Sequence, residues 1–327
     1  MNLGQSFSFL YCVQERWKDE GKPVVLSDSK QNFCRFCKKS YPEVTFASEA
    51  HVLSQLLGNR NITNTFECDS CNKLFSTYES HLANFLGPLL PAWGVKGRTG
   101  IPTHRRSLRV PGEPSLREEV RIDGERDGNS NHYKLNMSGT YSFSDMEFNG
   151  NEMKWKLRKN SYIPQHVFRA LLHAGFCLLS ENELQDFELA RTWLADKDHR
   201  YPNYVGASIY QTTLPGRGLP PSIQMYRRRV LDPSLFSKVL IIGFERFIIQ
   251  FHLATDTQVF DTARGQGYIA PFFPPFPGLR KPPTRDEYDM RSLEKRTDDF
   301  VYFGITLNDN GVQQMLSQEG QDKFTIT

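Results

Sequence analysis

Hydrophobic residues follow two periods along the chain, and each period predicts a different kind of element. Alternation and short apolar runs predict strands at 133–137, 141–143, 153–157, 239–245, 247–253 and 300–307. Helical spacing after Pro164 and again within 181–196 predicts two helices, and Leu74, Tyr78 and Leu82 predict a third. Because strands and helices are mixed in this order, the pattern indicates an α+β fold.

Prolines, glycines and changes in charge divide the chain into four predicted segments. A lead-in covers 1–30, and a cysteine-paired module covers 31–92 and ends near Gly87-Pro88. A basic linker at 93–130 runs into a larger α+β domain at 131–327, for which regulation or oligomerisation is the expected role. Within that domain, the proline-rich stretch 272–283 is expected to be an irregular loop.

The composition is that of a globular protein with little net charge. The 327 residues are 39% hydrophobic and 24% charged, and the net charge is +3. This excludes a histone-like field, so nucleic acid would have to be bound by local basic patches. The longest apolar stretch, 239–253, is interrupted by charged and polar residues and is shorter than a membrane helix of about 20 residues. Without a signal-peptide pattern, a cytoplasmic protein with no membrane partner is expected.

Two cysteine pairs carry the clearest chemical signal. The four paired residues are Cys34, Cys37, Cys68 and Cys71. In a chain without an export signal, two Cys-x-x-Cys pairs indicate one tetrahedral Zn²⁺ site rather than disulfides. Four protein ligands leave the ion no open position, so this zinc is expected to be structural. The two isolated cysteines, Cys12 and Cys177, are expected to pack in the core.

Short motifs accompany the cysteine pairs. They read Ala50-His51-Val52-Leu53, Leu57-Gly58-Asn59 and Glu67-Cys68-Asp69-Ser70-Cys71-Asn72, followed by Glu79-Ser80-His81-Leu82. The pattern resembles the HNH (ββα-metal) endonucleases with two zinc-binding cysteine pairs, and its cysteine spacing is similar to that of phage endonuclease VII. The resemblance covers residues 31–100. Because such proteins occur as free-standing bacterial nucleases and as anti-phage effectors, it implies a bacterial defence role.

The resemblance also implies a set of catalytic residues. His51 corresponds to the general base that takes a proton from water, and an ordinary histidine pKa of about 6.5 suits that role. Asn72 corresponds to an oxygen ligand for a catalytic Mg²⁺ or Mn²⁺ ion. Many members carry Asp or His directly before the base, whereas this chain has Ala50. Glu79 is favoured as the replacement ligand, and Glu49 is the alternative.

The family's middle asparagine usually braces the hairpin that carries the base. Asn64 is the favoured counterpart in this chain, and Asn59 and Asn61 are its rivals. The sequence does not decide among the three.

Two basic groups are candidate contacts for nucleic-acid phosphates. The first comprises Lys96, Arg98, Arg105, Arg106 and Arg109, and the second comprises Arg227, Arg228 and Arg229. Such contacts would give affinity that falls with salt and would carry little sequence information. Since charge runs usually face water, a solvated surface is the alternative for both.

These residues together predict a metal-dependent endonuclease that hydrolyses DNA. One active site cuts one strand, so a double-strand break would require a homodimer or a larger assembly. An activating partner protein or signal is also expected. The alternative is a catalytically inactive zinc module that binds nucleic acid or protein, with Ala50 as the trace of the loss. Cleavage of RNA remains open, because the same chemistry acts on either backbone.

Overall fold

The chain forms two compact units, each built from two separate stretches of sequence. Unit 1 comprises 1–82 and 163–295, and unit 2 comprises 83–162 and 296–327. The computed structural model describes residues 3–110, 113–126, 133–139, 146–149, 152–198, 204, 206–214, 218–263, 267–269, 271–273, 285–306 and 323–326. The predicted strand at 141–143 and residues 274–283 of the predicted loop lie outside these ranges. Helices and several sheets confirm the α+β fold class.

A six-stranded antiparallel sheet forms the centre of unit 1. In spatial order its strands are β1 (Tyr11–Lys18), β11 (Leu219–Arg228), β12 (Lys238–Glu245), β13 (Phe247–Leu253), β10 (Ser208–Thr213) and β14 (Arg285–Asp289). The β12–β13 hairpin supplies the predicted pair of apolar runs, and its residues are almost all buried. Antiparallel sheets often expose one polar face to water. Because both faces of this hairpin are buried, other parts of the protein must cover both of them.

Helix α4 (Pro164–Cys177) packs closely against this sheet. Its first residue is a proline, which suits the first turn of a helix because that turn needs no intrahelical N–H donor. A Cβ added at Gly175 would come within 2.6 Å of Leu240 Cδ2. The glycine therefore lets the helix backbone approach β12, and the helix predicted from Pro164 onward is present.

The second predicted helix, 181–196, is divided into two pieces. A short 3-10 helix covers Glu181–Phe187, and α5 (Glu188–Ala195) follows it. Ser180 and Glu183 form a reciprocal capping box at the start of the first piece. Another helix of unit 1, α6, spans Asp256–Ala263.

The first thirty residues are more than a lead-in. Helix α1 (Leu3–Leu10) precedes β1, and β1 pairs with β11, which lies about two thirds of the way along the chain. Phe7 and Tyr11 stack with ring centroids 5.2 Å apart in a buried cluster with Tyr226. The sequence pattern did not predict this strand, because its pairing partner lies about two hundred residues away.

The cysteine-paired part of the chain contains a small sheet and a long helix. The sheet has the order β2 (Val24–Leu26), β4 (Ile62–Asn64) and β3 (Ala50–His51), with a 3-10 helix at Gln55–Leu57. Helix α2 (Asp69–Leu86) follows directly after β4. Two strands and a helix in this order give the ββα arrangement that the resemblance implies.

Unit 2 is mostly β structure. One sheet has the order β16 (Lys323–Ile326), β7 (Tyr133–Gly139), β6 (Glu113–Arg126) and β5 (His104–Val110), and a second has β15 (Phe300–Thr306), β9 (Glu152–Arg158) and β8 (Met146–Asn149). The short helix α3 spans Leu89–Ala92. The region predicted as a linker thus contains β5 and β6. Across the described ranges, no helix is both long and apolar enough to cross a bilayer.

Candidate functional site

Four cysteine sulfurs lie close together where the turn at Cys34–Lys39, called the first knuckle below, meets the start of α2. The second knuckle is the turn that contains Cys68 and Cys71. Cys34 Sγ lies 3.7 Å from Cys71 Sγ, and Cys37 Sγ lies 3.7 Å from Cys68 Sγ. A tetrahedral zinc with Zn–S bonds of about 2.3 Å places its sulfur ligands about 3.8 Å apart. A disulfide would require about 2.05 Å. The observed spacing therefore fits one zinc ion and excludes both cross-pair disulfides.

Local backbone geometry aims the sulfurs of each pair at the same point. In the first knuckle, Cys34 N donates to Lys39 O at 2.8 Å, and Lys38 N donates back to Cys34 O at 2.9 Å. Lys38 adopts a left-handed conformation with φ of 58° to close this turn. In the second pair, Cys71 lies in the first turn of α2, so helix geometry brings it back over Cys68.

The pKa shifts within the four-cysteine cluster show that the sulfurs cannot all ionise without a compensating positive charge. A hydrogen bond from Cys71 lowers the pKa of Cys34 to about 5, whereas burial raises the pKa of Cys68 to about 12. The Cys34 thiolate is thus favoured, whereas burial and the nearby Cys34 thiolate keep the pKa of Cys68 raised, and the hydrogen bond to Cys34 and burial keep the pKa of Cys71 raised. A zinc ion would compensate four thiolates at once, so the donor set fits this metal.

Arg35 attaches the first knuckle to the C-terminal end of α4. Its Nη1 donates to the carbonyl oxygens of Phe176, Cys177 and Leu179 at 3.1, 3.2 and 2.9 Å. Its other side pairs with the Asp28 carboxylate. The guanidinium thereby satisfies carbonyl groups that a helix end leaves without partners. The sequence pattern does not predict this contact, because nothing in the spacing connects 35 with 176–179.

His51 ends the short strand β3, and an acidic residue from just before that strand lies close to its ring. Glu49 Oε2 lies 3.6 Å from His51 Nε2. The intervening Ala50 is buried. The Gln55 Nε2 atom lies 2.7 Å from His51 Nε2. Glu49, the alternative metal ligand, therefore lies beside the predicted base.

Asn59 makes the bonds that brace the loop after His51. Its Nδ2 donates to Leu53 O at 2.6 Å and to Ile62 O at 3.0 Å, while its Oδ1 accepts from Ile62 N at 3.0 Å. The side chain is fully buried. These bonds fix the loop between β3 and β4, so Asn59, one of the three candidate asparagines, makes contacts of the kind expected of a bracing residue.

Asp69 ties the approach to β3 to the helical turn that carries Asn72. Its carboxylate accepts from Ser48 N at 2.7 Å, from Ala47 N at 3.2 Å and from the Thr45 hydroxyl. The Thr45 hydrogen bond, followed by the two backbone bonds, holds the pKa of Asp69 well below its usual range. Asn72 itself is partly exposed on the first turns of α2.

Glu79 and Asn64 lie in a different environment, beside α4. Burial raises the pKa of Glu79, and its neighbours are Ser54, which hydrogen-bonds to it, together with His173 and Glu67. Asn64 is buried at the end of β4, with its Nδ2 3.3 Å from Glu67 Oε2. The structure therefore groups these two predicted residues with Glu67 and His173.

The two basic groups belong to different units. In unit 2, Lys96, Arg98 and Arg105 are exposed, whereas Arg106 bonds to the backbone carbonyls of 159 and 297. The Arg109 side chain lies outside the described part. In unit 1, Arg227 is exposed, Arg228 Nη1 donates to Leu235 O at 2.8 Å, and Arg229 Nη1 donates to Ser8 O at 3.2 Å.

Comparisons with known proteins agree with the geometry of this region. Residues 34–84 match the model of a family described as HNH endonuclease. Comparison with curated proteins finds no match. Comparison with solved structures finds none either. Together with the four-cysteine cluster, the match identifies residues 34–84 as a module of the HNH endonuclease family, which implies a nucleic-acid substrate.

Proposed function

We propose that this protein hydrolyses phosphodiester bonds in DNA with His51 as the general base. The observation that carries the proposal is the position of His51 on β3 with Glu49 Oε2 3.6 Å from its Nε2, within the part that matches the nuclease family. The Asn59 hydrogen bonds and the four-cysteine cluster support it, because the first fix the loop between β3 and β4 and the second fixes the start of α2.

His51 acts through Nε2, since its Nδ1 atom is buried and Nε2 faces Glu49 and Gln55. While the ring is neutral, Nε2 can accept a hydrogen bond from the Gln55 amide, and this amide must turn away before Nε2 can take a proton from water. Rotation of that amide presents its oxygen to the protonated ring, so Gln55 can accept a hydrogen bond from His51 after the proton has been transferred. Uptake of a proton from water therefore leaves a stabilised imidazolium.

Asn72 and Glu49 are the residues that would hold a catalytic Mg²⁺ or Mn²⁺ ion. Both offer oxygen ligands, which these hard cations prefer. When bound, the cation offsets the negative charge that develops on the scissile phosphate. Glu79 is the less suitable second ligand, because its neighbours are Ser54, Glu67 and His173 rather than His51.

A plasmid-nicking assay tests the proposal. Purified protein is incubated with supercoiled DNA in EDTA, Mg²⁺ or Mn²⁺, beside His51→Ala protein with verified zinc content. We expect metal-dependent nicking that His51→Ala abolishes, a loss of at least about 100-fold for a general base. His81→Gln is the matched control and should cleave normally, since His81 lies on α2 and its ring accepts from Ile163 N. Cleavage that survives His51→Ala would contradict the assignment.

The same assay, together with a few further measurements, distinguishes the other predictions made from the sequence. DNA binding without cleavage in any metal, even with cell lysate added as a source of activator, would support the adaptor alternative. Faster cleavage of RNA would change the substrate. Linear product should accompany dimers in light scattering if double-strand cutting requires two sites. Phage plating on cells that express wild-type or His51→Ala protein tests the defence role.

A further inference from the structure

A second group of metal-binding side chains lies apart from the four cysteines, between α2 and α4. Glu67, His173 and Cys177 each offer one ligand atom, and all three atoms lie within 4.8 Å of one another. All three residues are buried. His173 and Cys177 are four residues apart on α4, which puts them on one face of the helix. Glu67 directly precedes Cys68 at the start of the second knuckle.

The three atoms converge on one point rather than forming a relay. His173 Nε2 lies 2.7 Å from Glu67 Oε2 and 3.6 Å from Cys177 Sγ. In a catalytic Cys-His-Glu relay, the acid and the thiol contact different ring nitrogens. Here both face the same nitrogen, which is the arrangement of ligands around an ion.

The distances suit zinc after a small adjustment. Bonds of about 2.3 Å to sulfur and about 2.1 Å to nitrogen set these ligands about 3.6 Å apart at tetrahedral angles, which agrees with the 3.6 Å between Cys177 Sγ and His173 Nε2. Glu67 Oε2 would have to move about 0.6 Å away from the ring nitrogen to meet the same geometry. Rotation of the Glu67 side chain provides that movement.

Two buried oxygen acceptors beside the cluster have no hydrogen-bond donor among the described residues. They are Glu67 Oε1 and Asn64 Oδ1. Buried acceptors are normally paired, and a cation is a partner that both could share. The Asn64 Nδ2 atom lies 3.3 Å from Glu67 Oε2 and 3.9 Å from Cys177 Sγ, so rotating the amide by 180° would turn its oxygen toward the cluster.

The charge of this ligand set also fits. A carboxylate and a thiolate balance the two positive charges of zinc, and imidazole and amide ligands are neutral. A neutral complex avoids the large cost of burying an uncompensated charge. Aromatic packing fixes the imidazole, since the His173 ring centroid lies 4.4 Å from that of Phe75 and 5.2 Å from that of Phe36.

We propose that Glu67, His173 and Cys177, with Asn64 as fourth ligand, form a second zinc site that joins the HNH module to α4. This site is separate from the four-cysteine cluster and does not depend on the proposed nuclease activity. Its role is to attach α4, whose end Arg35 already contacts, to the start of α2. From the sequence alone, Cys177 is expected only to pack in the core.

Zinc stoichiometry tests this site. Wild-type protein purified without chelator is measured by native mass spectrometry and by elemental analysis. We expect two zinc ions per chain in the wild type and one in Cys177→Val, which removes a ligand and keeps a similar volume. Cys12→Val is the matched control, because Cys12 belongs to neither cluster; it should keep both ions. His51→Ala should keep both as well.

Three outcomes would overturn the proposal. The first is a single zinc in the wild type, lost in Cys68→Ser. The second is a second ion that Cys177→Val retains, and the third is a second ion that His51→Ala loses, which would place it at the catalytic centre. If Cys177→Val does not fold, His173→Gln takes its place, and the wild-type and His51→Ala stoichiometries still decide.

Discussion

Replacing Asn59 with alanine should loosen the loop that follows His51. The substitution removes three hydrogen bonds, with lengths of 2.6, 3.0 and 3.0 Å. It also leaves two carbonyls and the Ile62 N–H without these partners in a buried loop. At about 1 kcal/mol net for each bond, the loss is about 3 kcal/mol.

Hydrogen-exchange mass spectrometry measures this loss locally. A change of about 3 kcal/mol corresponds to exchange about 100-fold faster in peptides covering 52–62. Asn61→Ala is the matched control, because Asn61 bonds at 2.6 Å to Asp19, which also accepts from the backbone of Arg60. The control should lose only about 1 kcal/mol. Equal protection of 52–62 in the two variants would refute the bracing role of Asn59.

Two further predictions concern the buried, positively charged side chains of Lys159 and Arg35. Burial raises the pKa of Asp299, but the ammonium of Lys159 at 2.9 Å and other donors hold it below its usual range. The Asp299 carboxylate therefore stabilises the fold fully above about pH 4, and this stabilisation is lost as the pH falls through the lowered pKa of the folded state. Asp299→Asn should lower the free energy of unfolding at pH 7 by about 3 kcal/mol in denaturant titration. It should also weaken the fall of this free energy with decreasing pH. Arg35→Lys should lower the melting temperature while zinc content stays unchanged, because a lysine cannot contact the α4 carbonyls and Asp28 together; an unchanged melting temperature would contradict the helix-end role.

Local patterns predicted the features that depend on neighbours in sequence. The spacing of Cys34, Cys37, Cys68 and Cys71 predicted a cluster, and the structure brings them together because each pair lies on one tight turn. The apolar runs of β12 and β13 and the helical period of α4 gave elements that the structure contains. Each turn, strand and helix involved spans fewer than about twenty residues, and zinc coordination is the expected link between the two cysteine pairs across the 30 residues that separate them.

Features that join distant parts of the chain were not predictable from one sequence. Local pattern does not predict β1, because β1 is held by pairing with β11, about two hundred residues away. Spacing likewise does not show which of Asn59, Asn61 and Asn64 bonds to Leu53 and Ile62. Glu67 and His173 lie 106 positions apart, and the i, i+4 spacing of His173 and Cys177 was the only local sign of their cluster. The role of such a buried side chain depends on the elements that pack around it, which the local sequence does not show.

The attachment of the knuckle to α4 sets the order in which this protein can mature during synthesis. Cys71 leaves the ribosome about a hundred residues before Cys177, a delay on the order of ten seconds at ordinary translation rates. During that interval, Phe36, Phe75 and Arg35 lack the α4 residues that they contact in the folded chain. A four-cysteine zinc site can form early, but the family-matching part reaches its packed form only after α4 has been made. A chain truncated before α4 would therefore expose these aromatic side chains and would be a target for chaperones and proteases rather than a fully folded protein.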